Sequence, residues 1–181
     1  SLGGYAIRLG QHVQSQLPPS EDPRIIDYAS QHRSDFGDIF LLAHCKFFLG
    51  SATGTTCVPS LFEVPVATAN LTPHAASPNE GGLLTPKLMR EKTNHEFIHF
   101  SEFVRYMGGP SNMVTNRPID DNRLYNNETF ELVDNTDDEI LGLCIDMLES
   151  LDGRSPSPEV CELQAMYKQI MYKESEDICK F

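Results

Sequence analysis

The stretch that decides the fold is KFFLGSATGTTCVPSLFEVPVATAN, residues 46–70. Residues 46–49 are apolar enough for a buried strand, and a glycine-rich loop follows at 50–53. Residues 54–62 favour a helix, and residues 65–70 favour a second strand. Two strands joined through a helix need a crossover connection, which is how parallel strands are joined. The segment therefore predicts one βαβ unit.

The residues before this unit extend the same alternation. Residues 5–9 and 25–28 are short β-rich runs, and a helix begins at Ser34 or Asp35 as N-cap. The chain has 181 residues, of which 40% are hydrophobic and 22% charged, as in a folded globular protein. We predict a single α/β domain over residues 1–181, Rossmann-like and doubly wound, with a mainly parallel sheet and helices on both faces. The helix that begins at Ser34 or Asp35 is predicted from the helical spacing of Phe36, Ile39, Phe40 and Ala43.

The residues after this unit contain clear signals only in the last third. Residues 71–127 are rich in Pro, Asn and Gly, and predict one helix at 101–107. A strand is predicted at 130–134, followed by a capping box from Thr136 to Glu139 and a helix that Gly153 ends. A last helix begins near Pro158, and we expect it to fold back on the sheet. The apolar stripes are Ile140, Cys144, Met147, Leu148 and Leu151 in the first helix, and Val160, Leu163, Tyr167, Ile170 and Met171 in the second.

The charge balance excludes some classes of partner. There are 14 Lys+Arg against 26 Asp+Glu, a formal charge of −12, and no block of basic residues. Such a surface repels polyanions, so nucleic-acid binding is not expected. No apolar run reaches the ~20 residues that cross a bilayer, so no transmembrane segment is predicted. The five scattered cysteines form no CxxC pair, which favours reduced thiols in a cytoplasmic protein.

The loop between the first strand and helix of the βαβ unit has the composition of a phosphate cradle. Glycines allow backbone amides to approach an anion, and hydroxyl groups donate hydrogen bonds to phosphate oxygens. The loop lacks the lysine of a Walker motif and the third glycine of a dinucleotide fingerprint. The alternative is a tight turn with capping hydroxyls. The candidate donors and glycines are Gly50, Ser51, Thr53, Gly54, Thr55 and Thr56.

Two arginines are expected at the same edge of the sheet. Arg8 closes the first predicted strand, and Arg33 directly precedes the helix that begins at Ser34. An arginine fork at a strand-end rim binds a diphosphate through two parallel hydrogen bonds. The alternative for each is a surface arginine paired with a carboxylate.

The run RSDFGDIFLLAHCKFFLGSATGTTCVPSLFEVPVATAN (33–70) resembles a family of bacterial GT-B-type glycosyltransferases of surface-polysaccharide synthesis, distantly similar to fucosyltransferases. The segments GGYAIRLG (3–10), IIDYA (25–29), TPK (85–87) and DNTDDEI (134–140) follow in family order. The resemblance implies a nucleotide-sugar-binding lobe that transfers a sugar to a glycan acceptor. It implies no cofactor or metal besides the nucleotide-sugar substrate. It places Arg8, Arg33, Asp35, Asp38 and residues 51–56 in the donor site.

Members of that family are longer than this chain. They carry an amino-terminal, acceptor-side domain and an opening strand that are not in these 181 residues. We therefore expect a fragment whose catalytic base lies in the missing domain. The expected location is the cytoplasm, or the inner face of the cell membrane as a peripheral protein.

Two other functions stay open. The chain could be a non-catalytic nucleotide-binding module. Alternatively, His95-Glu96-Phe97-Ile98-His99 spells HExxH, which on a helix presents two imidazoles to zinc, with the glutamate as general base of a metallopeptidase. No third ligand follows at a recognisable spacing, and the flanking residues do not favour an amphipathic helix. We expect ordinary loop histidines there and no stoichiometric zinc.

Overall fold

The computed structural model describes residues 3–51, 53–72, 82–106 and 127–172. The chain divides into two compact units, Ser1–Lys46 and Phe47–Phe181, and each is described by itself. The described residues form a mixed α/β structure in which small sheets carry mostly parallel strands. The predicted α/β class is therefore confirmed at this level.

The first unit contains a parallel pair of short strands and two helices. Strand β1 is Ala6–Ile7 and strand β2 is Ile25–Ile26. Helix α1 is Tyr28–Gln31 and helix α2 is Asp35–His44. Both strands lie where the sequence predicts them, but both are shorter. For β2, one reason is that Tyr28 begins α1 instead of ending the strand.

Helix α2 begins at the predicted N-cap. The Ser34 hydroxyl accepts a hydrogen bond from the Gly37 amide at 3.1 Å. The residues whose spacing predicts this helix do not line a buried face, since Phe36 is 80% exposed and its ring stacks along the helix on Phe40. The buried residue of α2 is Leu42. The spacing therefore predicts the helix correctly, although the residues that carry the spacing are not the buried ones.

The second unit contains the predicted βαβ segment. Strand β3 is Phe48–Gly50, strand β4 is Val66–Leu71 and strand β5 is Leu83–Pro86; they pair in the order β3-β4-β5, all parallel. The connection from β3 to β4 contains a 3-10 turn, Gly54–Thr56, and helix α3, Cys57–Leu61. The predicted helix at 54–62 is thus shorter, because its first turn is a 3-10 turn.

One face of this sheet packs against helix α5, Asp137–Leu151. The helix starts with the predicted capping box: Thr136 and Glu139 each accept a hydrogen bond from the other's amide. Successive side chains of a strand point to opposite faces of the sheet, so each strand contributes residues to the face that packs on α5 and to the face opposite it. The α5 face holds Phe47, Ala67, Ala69 and Leu83, together with Ile140, Leu143 and Met147 of the helix. The opposite face holds Phe48, Gly50, Val66, Thr68 and Leu84.

A second, antiparallel pair completes this unit. Strands β6, Leu88–Glu91, and β7, Phe130–Val133, pair in antiparallel register. Helix α4, Phe100–Tyr106, packs on β6 through the buried pair Met89 and Phe103. Helix α6, Pro158–Tyr172, contacts α4, where the rings of Tyr167 and Phe100 lie 5.5 Å apart. None of the helices in the described ranges combines the length and apolarity needed to cross a membrane.

Candidate functional site

The glycine loop leaves the sheet at the carboxyl end of β3. Gly50 is the last residue of that strand, and the hydroxyl-bearing side chains of Ser51, Thr53 and Thr55 are exposed. Ala52 lies outside the described residues. Thr53 has extended backbone angles, and the chain turns into the 3-10 turn at Gly54. Three hydroxyl groups are therefore presented to solvent beyond one end of a parallel sheet, where ligands of such sheets bind.

One predicted donor of this loop is already used within the protein. The Thr56 hydroxyl donates to the Thr53 carbonyl at 2.7 Å, and the Thr56 amide donates to the same oxygen at 3.1 Å. These bonds hold the turn closed. Helix α3 has only five residues, so its N-terminal dipole adds less than a longer helix would. The remaining loop hydroxyls, on Ser51, Thr53 and Thr55, carry the capacity to bind an anion.

The two glycines of the loop differ in what a side chain at their position would contact. A Cβ atom on Gly50 would lie 2.7 Å from the ring of Phe48, so the protein itself fills that space. A Cβ on Gly54 would meet nothing within 4 Å, and the Gly54 φ angle is not in the left-handed region. Gly54 therefore does not take a backbone conformation that is closed to other residues. The expected close approach of an anion to the loop backbone stays a prediction.

Other polar residues meet the same edge of the sheet, at the end of β4. Asn70 adopts a left-handed φ of 55°, and its side-chain oxygen accepts from the Asn135 amide at 2.6 Å. The Asn135 side-chain oxygen accepts from the Asn70 amide, also at 2.6 Å, and its side-chain nitrogen donates to the Pro86 carbonyl at the end of β5. Lys87 forms an ion pair with Asp134 beside them. The segments 85–87 and 134–140, quoted above for the family resemblance, therefore lie together at the carboxyl ends of β4 and β5.

Sequence reasoning missed this pairing of asparagines. The two residues are 65 positions apart, so no local pattern links them. Asparagine is one of the few residues other than glycine that adopt left-handed backbone angles, here at the end of a strand. That signal indicates a turn at Asn70 but does not name Asn135 as its partner.

Arg8 belongs to the first unit and is engaged with Asp27. Its Nη1 donates to the Ser15 carbonyl at 2.7 Å and lies 3.5 Å from Asp27 Oδ1. Asp27 is only 7% exposed, and its second oxygen accepts from the Leu17 amide at 2.9 Å. That amide hydrogen bond is the main reason that the pKa of Asp27 lies below its usual value, and the charge of Arg8 adds to it. Arg8 and Asp27 together fasten the 15–17 segment to the strand ends.

Arg33 is brought together with both predicted aspartates. Its Nη2 lies 3.0 Å from Asp35 Oδ1 and 3.0 Å from Asp38 Oδ2. The Nε of Arg33 and the Oδ1 of Asp38 are enclosed and make no hydrogen bond to the described residues. Buried polar atoms without hydrogen-bond partners lower the stability of the protein. A ligand or a water molecule that forms hydrogen bonds with these atoms offsets that cost. Of the predicted site residues, Arg33, Asp35 and Asp38 form one cluster, Arg8 pairs elsewhere in the same unit, and residues 50–56 lie in the second unit.

The HEFIH segment is not a helix. Phe97 forms a β-bridge with Arg90, and the Ile98 amide donates to the Met89 carbonyl, so the segment runs beside β6. His95 has a left-handed φ of 60°, and α4 begins only at Phe100. The geometry by which HExxH holds zinc is therefore not formed here. Among the described residues, no three His, Cys, Asp or Glu side chains are grouped so that they could hold a metal ion.

Comparison with known proteins adds no relative. No protein-family model matches the chain, and neither a curated protein nor a solved structure matches it.

Proposed function

We propose that the chain is a nucleotide-sugar-binding lobe of a GT-B-type glycosyltransferase that transfers a sugar to a glycan acceptor in surface-polysaccharide synthesis. In this proposal the second unit contributes to a Rossmann-like, doubly wound sheet. The nucleotide sugar is the substrate, and no further cofactor is invoked.

The observation that carries the proposal is the convergence at the carboxyl edge of β3-β4-β5. The glycine loop leaves β3 at Gly50, the Asn70–Asn135 pair lies at the end of β4, and Lys87 meets Asp134 beyond β5. Parallel sheets bind ligands at this edge because the loops there diverge and leave a crevice. Three segments that carry the family resemblance thus share the edge at which a nucleotide is expected.

The chemistry that such a site must perform is stabilisation of a departing nucleoside diphosphate. Charge develops on the diphosphate as the bond to the sugar breaks, so donors aimed at its oxygens lower the barrier. Ser51, Thr53 and Thr55 supply hydroxyl donors, and Gly54 leaves its backbone open to close approach. In this proposal these groups bind the diphosphate.

The resemblance adds Arg8 and Arg33 to the donor site. Each already contacts carboxylates through Nη1 or Nη2, and a diphosphate would bind through the remaining guanidinium nitrogens or displace a carboxylate. In this proposal Asp35 and Asp38 orient the Arg33 fork. The acceptor, an acceptor-side domain and the catalytic base are further partners of the lobe, and the site of action is the cytoplasm or the inner face of the membrane.

The proposal is tested by ligand binding. We expect one of UDP, GDP, ADP or a hexose conjugate of UDP or GDP to raise the melting temperature, since a ligand at 100 times its Kd stabilises by about 2.7 kcal/mol. Gly54→Val should then weaken binding at least tenfold by calorimetry, because its side chain occupies the space left for phosphate. Gly142→Val is the matched control, since a Cβ there also meets nothing within 4 Å and Gly142 lies in α5.

Two outcomes separate the alternatives. If no nucleotide or nucleotide sugar stabilises the protein, or if folded Gly54→Val binds as tightly as the wild type, the hypothesis that the loop at 50–56 binds phosphate is wrong. Donor hydrolysis and sugar transfer distinguish an enzyme from a non-catalytic nucleotide-binding module. Binding without either reaction, also after addition of the acceptor-side domain, would favour the module.

A further inference from the structure

Asn70 lies near the end of the central strand of the β3-β4-β5 sheet, on the edge from which the glycine loop starts. In the parallel register, Gly50, the last residue of β3, is the partner of Thr68 in β4. Asn70 follows two residues later, so it lies about 7 Å further along a strand that runs about 4.8 Å from β3. Asn70 is therefore beyond the end of β3, at the carboxyl edge where parallel sheets bind ligands.

The Asn70 side chain is held in place by Asn135. Its Oδ1 accepts from the Asn135 backbone amide at 2.6 Å, and the Asn70 backbone amide donates to Asn135 Oδ1, also at 2.6 Å. A backbone amide can only donate, so these two bonds identify the oxygen of each side chain. Asn135 Nδ2 donates to the Pro86 carbonyl at 2.9 Å. The pair thus fixes the Asn70 side chain against the ends of both β4 and β5.

The nitrogen of the Asn70 side chain has no such use within the described residues. Nδ2 carries two N–H donors and makes no hydrogen bond to that part of the chain. The residue is partly exposed, and Nδ2 is not one of the enclosed side-chain atoms that lack partners there. Two donors on a fixed side chain are therefore available to a ligand.

The backbone of Asn70 does not explain this nitrogen. Its φ of 55° is left-handed, a conformation that glycine adopts most readily and that asparagine and aspartate tolerate better than most other residues. Aspartate would also offer the same oxygen to the Asn135 amide. Neither the turn nor the bond to Asn135 therefore requires the two N–H donors.

We propose that Asn70 is a further donor-site residue, whose Nδ2 donates a hydrogen bond to a diphosphate oxygen of the nucleotide bound by the glycine loop. The inference rests on the proposed function, because it names a contact within the same site. The diphosphate is the expected acceptor because the strand of Asn70 is the direct neighbour of the strand that carries the loop. Asn135 is a positioning residue, which acts through Asn70.

The test compares two variants that lack the nitrogen and differ in the oxygen. Asn70→Gly removes the side chain and suits the backbone, and should weaken binding of the tightest ligand among UDP, GDP and ADP about tenfold or more, as expected for a lost hydrogen bond to a charged group. Asn70→Asp keeps the bond to Asn135 and should bind more weakly still, because its carboxylate repels the phosphate. A purely structural role of Asn70 predicts the reverse order, since only glycine loses that bond. Calorimetry measures the affinities, and circular dichroism checks that both variants are folded.

A measurement on the wild type keeps the test decisive if a variant does not fold. In a proton–nitrogen correlation spectrum, the side-chain NH2 signals of Asn70 should shift when the same nucleoside diphosphate is added. The NH2 signals of Asn135 are the control and should shift less, because that nitrogen is already bonded to Pro86.

The outcomes separate this inference from the proposed function. Wild-type affinity of folded Asn70→Gly, or unchanged Asn70 signals at saturation, overturns the inference and leaves the proposed function intact. A loss seen only with the hexose conjugates would place the contact on the sugar and overturn the assignment to the diphosphate. If the wild type binds none of UDP, GDP, ADP or their hexose conjugates, both the inference and the proposed function fail.

Discussion

Two turns of this protein use glycine for opposite reasons. At the junction of α1 and α2, a Cβ atom on Gly37 would lie 2.2 Å from the Tyr28 hydroxyl and 2.8 Å from the Ser34 hydroxyl. In the loop after β3, a Cβ on Gly54 would meet nothing within 4 Å. The first glycine is explained by the protein's own packing, whereas the second has no such explanation. The comparison teaches that an open glycine beside exposed hydroxyl groups is a better pointer to a ligand than glycine content alone.

The junction around Gly37 is a small hydrogen-bonded unit. The Tyr28 hydroxyl donates to the Ser34 carbonyl at 3.0 Å and accepts from the Ser34 amide at 2.9 Å. The Ser34 hydroxyl in turn accepts from the Gly37 amide and caps α2. Three residues thus fix the start of the helix, and a side chain at position 37 would push against the Tyr28 and Ser34 hydroxyls. By contrast, Ser51, Thr53 and Thr55 are exposed, and a Cβ on Gly54 among them would meet nothing within 4 Å.

The largest effect is expected from Gly37→Ala. The new methyl group would push on the Tyr28 and Ser34 hydroxyls, and such overpacking costs about 1–3 kcal/mol. Chemical denaturation followed by circular dichroism measures the loss, and hydrogen exchange of residues 28–44 locates it. A variant as stable as the wild type would show that the junction relaxes easily, and that the contrast with Gly54 is not meaningful.

Tyr28→Phe provides the control for this prediction. Removing the hydroxyl alone costs two hydrogen bonds, but in the Gly37→Ala background it also removes the closest clash. We therefore expect the double variant to be more stable than the sum of the two single effects, since residues in contact are not additive. Strict additivity would mean that the clash is not with Tyr28.

The stability of the junction between α1 and α2 should also depend more on pH than that of the loop after β3. Asp27 precedes Tyr28, and hydrogen bonding from the Leu17 amide holds the pKa of Asp27 below its usual value. A carboxyl group with a lowered folded-state pKa stabilises the protein above the unfolded value of about 3.9 and stops doing so as the pH falls through the folded value. Stability should therefore drop below about pH 4, and Asp27→Asn should reduce both the stability at pH 7 and this pH dependence. Denaturation midpoints from pH 7 to pH 2.5 measure it.

Asp22→Asn is the matched control for Asp27→Asn. Hydrogen bonds from Arg24 lower the pKa of Asp22 to about 2, but both side chains of this pair are 38% exposed. Salt screens an exposed pair, so the contribution of Asp22 should fade at high ionic strength while that of Asp27 persists. If the acid sensitivity of the wild type disappears with salt, or survives unchanged in Asp27→Asn, Asp27 does not fasten the 15–17 segment.

The parts of the fold that were predictable are those with local causes. The capping box from Thr136 to Glu139 and the Ser34 cap are contained within four residues, and both form as predicted. Strands β5 and β6 were not predicted, because residues 83–86 and 88–91 become strands through pairing with β4 and β7, which lie far away in the sequence. The stripe of α2 shows the same limit, since Phe36 and Phe40 have helical spacing but are not covered by packing.

The candidate site divides in the same way. The glycine loop could be found from composition, whereas Asp35 and Asp38 were expected beside Arg33 only from the family resemblance. The edge formed by Asn70 and Asn135 depends on a contact between distant segments. The sequence shows which side chains can bind a ligand, but contacts between distant segments decide which of these side chains lie next to one another.

The smallest expected effect sharpens the comparison most. Gly54→Ala should not destabilise the protein and should stabilise it by about 0.4–1 kcal/mol, because alanine restricts the unfolded chain and the native backbone at Gly54 accepts it. The sign is opposite to that of Gly37→Ala, although both changes add one methyl group. Denaturation midpoints without ligand measure it, with Gly142→Ala in α5 as a second open glycine. A loss similar to that of Gly37→Ala would mean that the loop needs glycine for its own structure, and Gly54 would then no longer point to a ligand.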